Sequence, residues 1–136
     1  MVHEKRIEIR WRDVDAYQHV NNAVYATYFE ECRDEWMEVA LAGEGDEWDF
    51  VLARVAIDFR RELRLEHESI VVTCRLERIG TASITLHEEI HSQEGWLSAR
   101  SEAVVVARDR ETGKARPLTA LERTLFERAS SSLPSA

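Results

Sequence analysis

The spacing of apolar positions changes twice along the chain. From about Glu4 to Trp11 they alternate, with Ile7, Ile9 and Trp11 on one face and Glu8, Arg10 and Arg12 on the other, which predicts a strand. From Asn22 or Ala23 to about Ala42 the spacing becomes three and four. Tyr25, Phe29, Cys32, Trp36 and Val39 or Ala40 form a stripe that Val24 and Tyr28 widen, opposite Glu30, Glu31, Asp34, Glu35 and Glu38. That pattern predicts one long amphipathic helix, with Asn21 or Asn22 as its N-cap and Gly43 as its stop.

An acidic loop, Gly43 to Asp49, separates this helix from a second alternating region. Val51, Ala53, Val55, Ile57 and Phe59 make one strand face, and Ile70, Val72, Cys74 and Leu76 make the next. A turn at Gly80 leads into Ala82 to Ile90, which alternates through Ile84, Leu86 and Ile90. A turn at Glu94-Gly95 leads into Trp96 to Ala107, and Asp109 to Lys114 reads as an exit turn around Gly113. Pro117 ends the extended run, and Thr119 caps a short helix holding Leu121, Thr124, Leu125 and Phe126. Late strands joined by short turns pair antiparallel, and one apolar helix covers one face of such a sheet. The expectation is a single α+β domain over residues 1–129, with residues 130–136 (SSSLPSA) as a disordered tail.

Composition narrows the setting. At 136 residues the chain has room for one good core. A formal net charge of -8 argues against nucleic acid as a partner, because phosphate backbones need clustered cations. No apolar run spans a bilayer, and the start MVHEKRIEIR lacks a signal-peptide core, so a cytoplasmic protein without a membrane partner is expected. Cys32 and Cys74 both fall in apolar patterns and read as buried reduced thiols; no Cys–His spacing suggests a metal, and no cofactor motif is present.

The chemistry concentrates in Arg10 to Glu31. Asp13, Asp15, His19, Asn21 and Asn22 are too polar to form a core and lie immediately before the helix. Free N–H groups at a helix start can stabilise a developing oxyanion while a nearby carboxylate handles the nucleophile, which suits attack on a carbonyl.

The segment Asp15-Ala16-Tyr17-Gln18-His19-Val20-Asn21-Asn22-Ala23-Val24-Tyr25 resembles the active-site segment of the hot-dog-fold acyl-CoA thioesterases, in the 4-hydroxybenzoyl-CoA thioesterase-like and long-chain acyl-CoA branch. The D-x-D pattern Asp13-Val14-Asp15, the RIGTAS run Arg78 to Ser83 and the pair Arg116-Pro117 extend the resemblance over nearly the whole chain. It implies a long helix wrapped by an antiparallel sheet. It also implies a homodimer or homotetramer with edge-paired sheets, and active sites at the subunit interface. The implied reaction is hydrolysis of an acyl-CoA thioester to a free acid and coenzyme A. Alternatives are an acyl-carrier-protein thioesterase or a non-catalytic acyl-CoA-binding protein.

The same resemblance assigns roles. It makes Asp15 the carboxylate that attacks the thioester or activates water, and the backbone N–H of Asn22 the group that polarises the carbonyl. Asp13 is expected to orient the loop or pair with an arginine. His19 either touches Asp15 or substrate, relays a proton, or shapes the loop through a structural bond. Tyr25 is either pocket wall or core. Arg78, from the RIGTAS run, and Arg54, Arg60, Arg61, Arg64 and Arg75 are candidate phosphate contacts, since arginine offers phosphate a fork of donors, and Gly80 permits either a tight turn or close passage of the pantetheine arm.

Overall fold

A computed structural model describes residues 1–131 of the chain. Strands β1 (Val2–Glu8), β2 (Phe50–Phe59), β3 (Ser69–Ile79), β4 (Ser83–Ser92) and β5 (Leu97–Ala107) form one sheet in the order β1-β3-β4-β5-β2. Every neighbouring pair is antiparallel. Helix α1 (Asn22–Leu41) packs on β1, β3 and β4, and helix α2 (Ala120–Ser131) packs on β3 and α1. This is the α+β hot-dog arrangement that the resemblance implied.

The core lies between α1 and one sheet face. Phe29, Cys32 and Trp36 of the helix stripe are fully buried against Ile70, Val72, Cys74, Ile84, Leu86 and Ile90. Each large apolar side chain buried there contributes roughly 1.5–3 kcal/mol relative to exposure. Trp36 stacks on Phe126 of α2 at 6.0 Å, which ties the second helix to the first. Cys32 and Cys74 are free and buried, and burial pushes the Cys32 thiol up to about 12, so it is unreactive.

Several boundaries differ from the pattern. β1 begins earlier than expected and stops at Glu8, because the Asp13 carboxylate accepts the Arg10 N–H at 2.9 Å and folds Trp11–Asp13 into a 3-10 turn. Trp11 therefore leaves the face of Ile7 and Ile9 and stands 82% exposed. In α1, Ala40 is buried while Val39 is exposed, and Arg33 occupies the buried stripe. The helix ends one residue early, with Ala42 in the left-handed region at φ 52° ahead of Gly43 at φ 76°.

β2 carries the largest correction. Its register against β5 steps from Leu52↔Val105 to Arg54↔Val104, so Ala53 is a bulge. A bulge swaps the face of everything beyond it. Phe50, Leu52, Val55, Ile57 and Phe59 share the helix side, opposite the buried Ala99, Ala103, Val105 and Ala107, while Val51 lies on the other face. Among the described residues β2 is a sheet edge with no further strand beside it, and Leu52, Val55 and Phe59 remain partly exposed although Tyr25 of α1 meets the Phe59 ring edge-on at 5.0 Å.

At the C-terminus, Thr119 Oγ1 accepts the Glu122 N–H at 3.1 Å and Glu122 Oε1 accepts the Thr119 N–H at 2.8 Å, a reciprocal cap. Leu125 and Phe126 are buried as expected, but Leu121 and Thr124 are exposed. The helix runs through Ser130 and Ser131 of the segment expected as tail; residues 132–136 lie outside the described residues. Among the described residues no helix is long and apolar enough to cross a membrane.

Candidate active site

The segment from Asp13 to Asn21 is a loop closed on itself. Asn21 donates its N–H to Asp13 O at 2.9 Å, Val14 bridges Val20, and Asp15 donates its N–H to His19 O at 2.9 Å. Gln18 turns the tip with φ 69°, and its N–H reaches Asp15 O at 3.0 Å. Val20 donates to Leu63 O at 2.7 Å, which pins the loop to the connection after β2.

Asp13 anchors this loop from beneath. It is 1% exposed and accepts the Arg10 side chain at 3.0 Å and the Tyr28 hydroxyl at 2.7 Å. Burial alone pushes its carboxyl up, but hydrogen bonds from Arg10 and Tyr28 outweigh this and hold it below its ordinary value. Asp13 is thus paired with an arginine, as one of the two expectations for it had it, and ties the loop to α1 through Tyr28.

Asp15 is differently placed. Its Oδ1 accepts the Tyr17 N–H at 2.9 Å, while Oδ2 has no partner among the described residues. It opens on a cleft of about 460 Å³ that Trp11, Gln18, Arg64 and Leu65 also line. On the other arm of the loop, Asn21 caps α1, its Oδ1 accepting the Ala23 N–H at 2.9 Å and its carbonyl the Val24 N–H at 2.9 Å. The Asn22 N–H is left uncommitted among the described residues, at the positive end of the helix dipole. The loop thus carries a half-free carboxylate on one arm and leads, on the other, into a free helix-terminal donor.

The other expected site residues make different contacts. The His19 ring pairs with Glu62 at 3.0 Å, and its only hydrogen bond to Asp15 is through its backbone. Tyr25 is 2% exposed, and its hydroxyl accepts the Leu63 N–H at 3.2 Å and lies 3.3 Å from Ser98 Oγ. That position makes it a core strut between α1 and the segment after β2. Arg78 is exposed and donates to Thr85 Oγ1 at 3.3 Å. Gly80 forms a tight turn, donating to Ser83 O at 2.7 Å, and a Cβ there would meet Ser83 Oγ at 2.8 Å. Both sit at the far end of β3 from the Asp15 cleft, an 11-residue strand of roughly 36 Å at 3.3 Å per residue.

The pattern reading missed one further pair. Arg33 of α1 donates through Nε to Glu88 of β4 at 2.7 Å and through Nη2 at 2.9 Å, and Glu88 is fully buried. The signal was present: Glu88 is in phase with Ile84, Leu86 and Ile90, and Arg33 lies four residues after Phe29 and three before Trp36. Arg64, one of the arginines named as a possible phosphate contact, lines the cleft and donates to Glu62 at 2.8 Å.

Comparison with known proteins agrees with the fold. The family model of the thioesterase-like superfamily matches residues 9–125. The long-chain acyl-CoA thioesterase FadM of Escherichia coli is 30% identical over 132 residues, covering 92% of this chain and 95% of that protein. A thioesterase from Thermus thermophilus, solved with coenzyme A and zinc, superposes with a TM-score of 0.82 at 27% identity, covering 98% of this chain and 96% of its own. A predicted thioesterase from Bacillus stearothermophilus gives a TM-score of 0.86 at 25% identity, covering 95% and 96%. A family model matched over residues 9–125 and a 30% identical thioesterase relative covered almost from end to end make this protein a hot-dog-fold thioester hydrolase of the thioesterase-like superfamily.

Proposed function

We propose that the chain hydrolyses acyl-CoA thioesters to a free carboxylic acid and coenzyme A, with Asp15 and the Asn22 N–H as the reacting pair. The observation that carries this reading is the closed loop from Asp13 to Asn21, which leaves Asp15 Oδ2 and the Asn22 N–H both without partners among the described residues. The donor stabilises negative charge on the thioester oxygen as the carbonyl is attacked. Asp15 either takes a proton from the attacking water or attacks the carbonyl itself. Water is added across the C–S bond in both routes, and the departing thiolate ends as the protonated thiol.

The site is completed by a second copy of the chain. β2 offers an open hydrogen-bonding edge with Leu52, Val55 and Phe59 exposed beside it. Antiparallel pairing of two such edges sets the Phe59 end of one chain, with its Asp15 loop, against the Phe50 end of the other. Arg78 and Gly80 lie at that second end, so a coenzyme A arm reaches them on the neighbouring copy; within one chain they are too distant.

Steady-state hydrolysis of short, long and aromatic acyl-CoAs, with acyl-carrier-protein thioesters alongside, tests the reaction. Single turnover in ¹⁸O-water separates the two routes: an anhydride opened at the Asp15 carbonyl releases unlabelled acid and leaves the label in Asp15, whereas an activated water puts the label directly into the acid. Absence of hydrolysis of every acyl-CoA overturns the reading.

A further inference from the structure

A groove of about 310 Å³ runs between α1 and the first half of β2, away from the Asp15 cleft of the same chain. Met37, Phe50 and Leu52 give it an apolar floor. Arg33 also lines it, although only 5% of the residue is exposed. The bidentate pair with Glu88 uses Nε and Nη2 of Arg33, so Nη1 has no partner among the described residues. The guanidinium is thereby fixed in orientation, and its charge is neutralised from below. Glu30, Asp34, Glu38 and Glu47 stand around the opening.

We propose that this groove holds the acyl group, and that it selects an uncharged chain bearing an oxygen acceptor, such as a hydroxyacyl or ketoacyl group. The proposal rests on the acyl-CoA reading and on pairing through β2, which brings the groove of one chain to the Asp15 end of its partner. The floor accepts methylene or ring carbons. The free Nη1 edge donates to an oxygen on the chain, and rigid pairing with Glu88 removes most of the entropic cost of that contact. The carboxylates lining the groove, of which Glu35 is paired with Lys5, face a single lining cation that already has its counter-charge, and they repel a chain ending in a carboxylate. The groove is therefore a filter with two terms: one for oxygen on a neutral chain, one against anionic ends.

The test uses the full chain and acyl-CoA esters of matched length that are unsubstituted, hydroxylated or terminated by a carboxylate. The hydroxylated ester is expected to exceed the plain one in kcat/KM by about fivefold or more, from one charge-assisted hydrogen bond. The carboxylate-terminated ester should fall roughly tenfold or more below the plain one. The double variant Asp34→Asn/Glu47→Gln should narrow the second gap and leave the first. The double variant Arg33→Met/Glu88→Met, which removes both members of the buried pair, should abolish the first gap. Equal use of the carboxylate-terminated and plain esters overturns the proposal, as does a hydroxyl preference that survives the loss of Arg33. Should the Arg33 double variant not fold, the Asp34/Glu47 variant and the wild-type ratios still decide. Hydrolysis without discrimination refutes this selection alone, whereas no hydrolysis of any ester refutes the acyl-CoA reading and this inference with it.

Discussion

The Tyr28 hydroxyl donates to the Asp13 carboxylate at 2.7 Å, joining the second turn of α1 to the loop that carries Asp15. Asp13 is the anchor of that loop, and its folded carboxyl sits below its ordinary value. Asp13→Asn should cost about 1–3 kcal/mol at neutral pH, because a buried charged acceptor is lost from three donors. A depressed folded value means that the unfolded chain binds this proton first. The stabilisation is therefore complete above the ordinary carboxylate value and disappears as pH falls through the folded one. Urea unfolding of both proteins across the acid range should show their stability difference closing toward low pH; a constant difference would falsify the assignment.

Asp15 stands two residues away with the opposite character, half-free and facing a cleft. Asp15→Asn should lower turnover by roughly 10²–10⁴-fold, the usual worth of a positioned proton-transfer group. The substituted amide oxygen still accepts the Tyr17 N–H, so the melting temperature should barely move. Near-normal turnover by a folded, correctly assembled variant removes Asp15 from the chemistry.

The buried pair of Arg33 and Glu88 gives a thermodynamic prediction. Arg33→Met alone leaves a fully buried carboxylate without its partner and should cost about 3–5 kcal/mol. Replacing both residues by Met should restore most of that loss. A double-mutant cycle in denaturant measures the coupling directly, and additive single costs would show that the two residues act independently.

How far these sites were legible depended on how local their causes are. The start of α1 could be read closely because its cap, Asn21, and its apolar spacing are contained in one short segment. The bulge at Ala53 could not, since Val51, Ala53 and Val55 alternate without interruption and only the partner strand reveals the step. Glu88 and Arg33 were hidden for another reason. A charged residue in an apolar phase reads as a solvated exception until its counter-charge is found 55 positions away. The carboxylate loop was legible as chemistry, but its relation to Arg78 and Gly80 was not, because β3 separates them in one chain and the proposed approach is between chains.

The β2 edge is open to direct test. Val55→Lys or Phe59→Lys places a charge on the exposed helix-side face of β2 while leaving β5 intact. If the β2 edges pair as proposed, wild type should sediment as at least a dimer and either change should shift it toward monomer in sedimentation equilibrium, with activity falling in parallel. A fully active monomer at low concentration would refute a shared site.

Arg78 should answer to the nucleotide end of the substrate. Arg78→Glu is expected to weaken full acyl-CoA much more than a truncated acyl-pantetheine, with the difference shrinking at high salt as mobile ions screen the phosphates. Equal loss with both substrates would give Arg78 a structural role, through its contact with Thr85.

The uncovered rim of β2 also has a bearing on the protein before it is ever an enzyme. A strand edge with no neighbouring strand among the described residues, beside exposed valine, leucine and phenylalanine, is open to any extended segment that meets it, native or not. In the proposed assembly the correct occupant is another newly made copy, so protection from misassociation grows with the abundance of the chain itself. Thermal resistance should then rise with protein concentration by mass action, and the scarce, freshly synthesised chain is the form most exposed to aggregation and proteolysis.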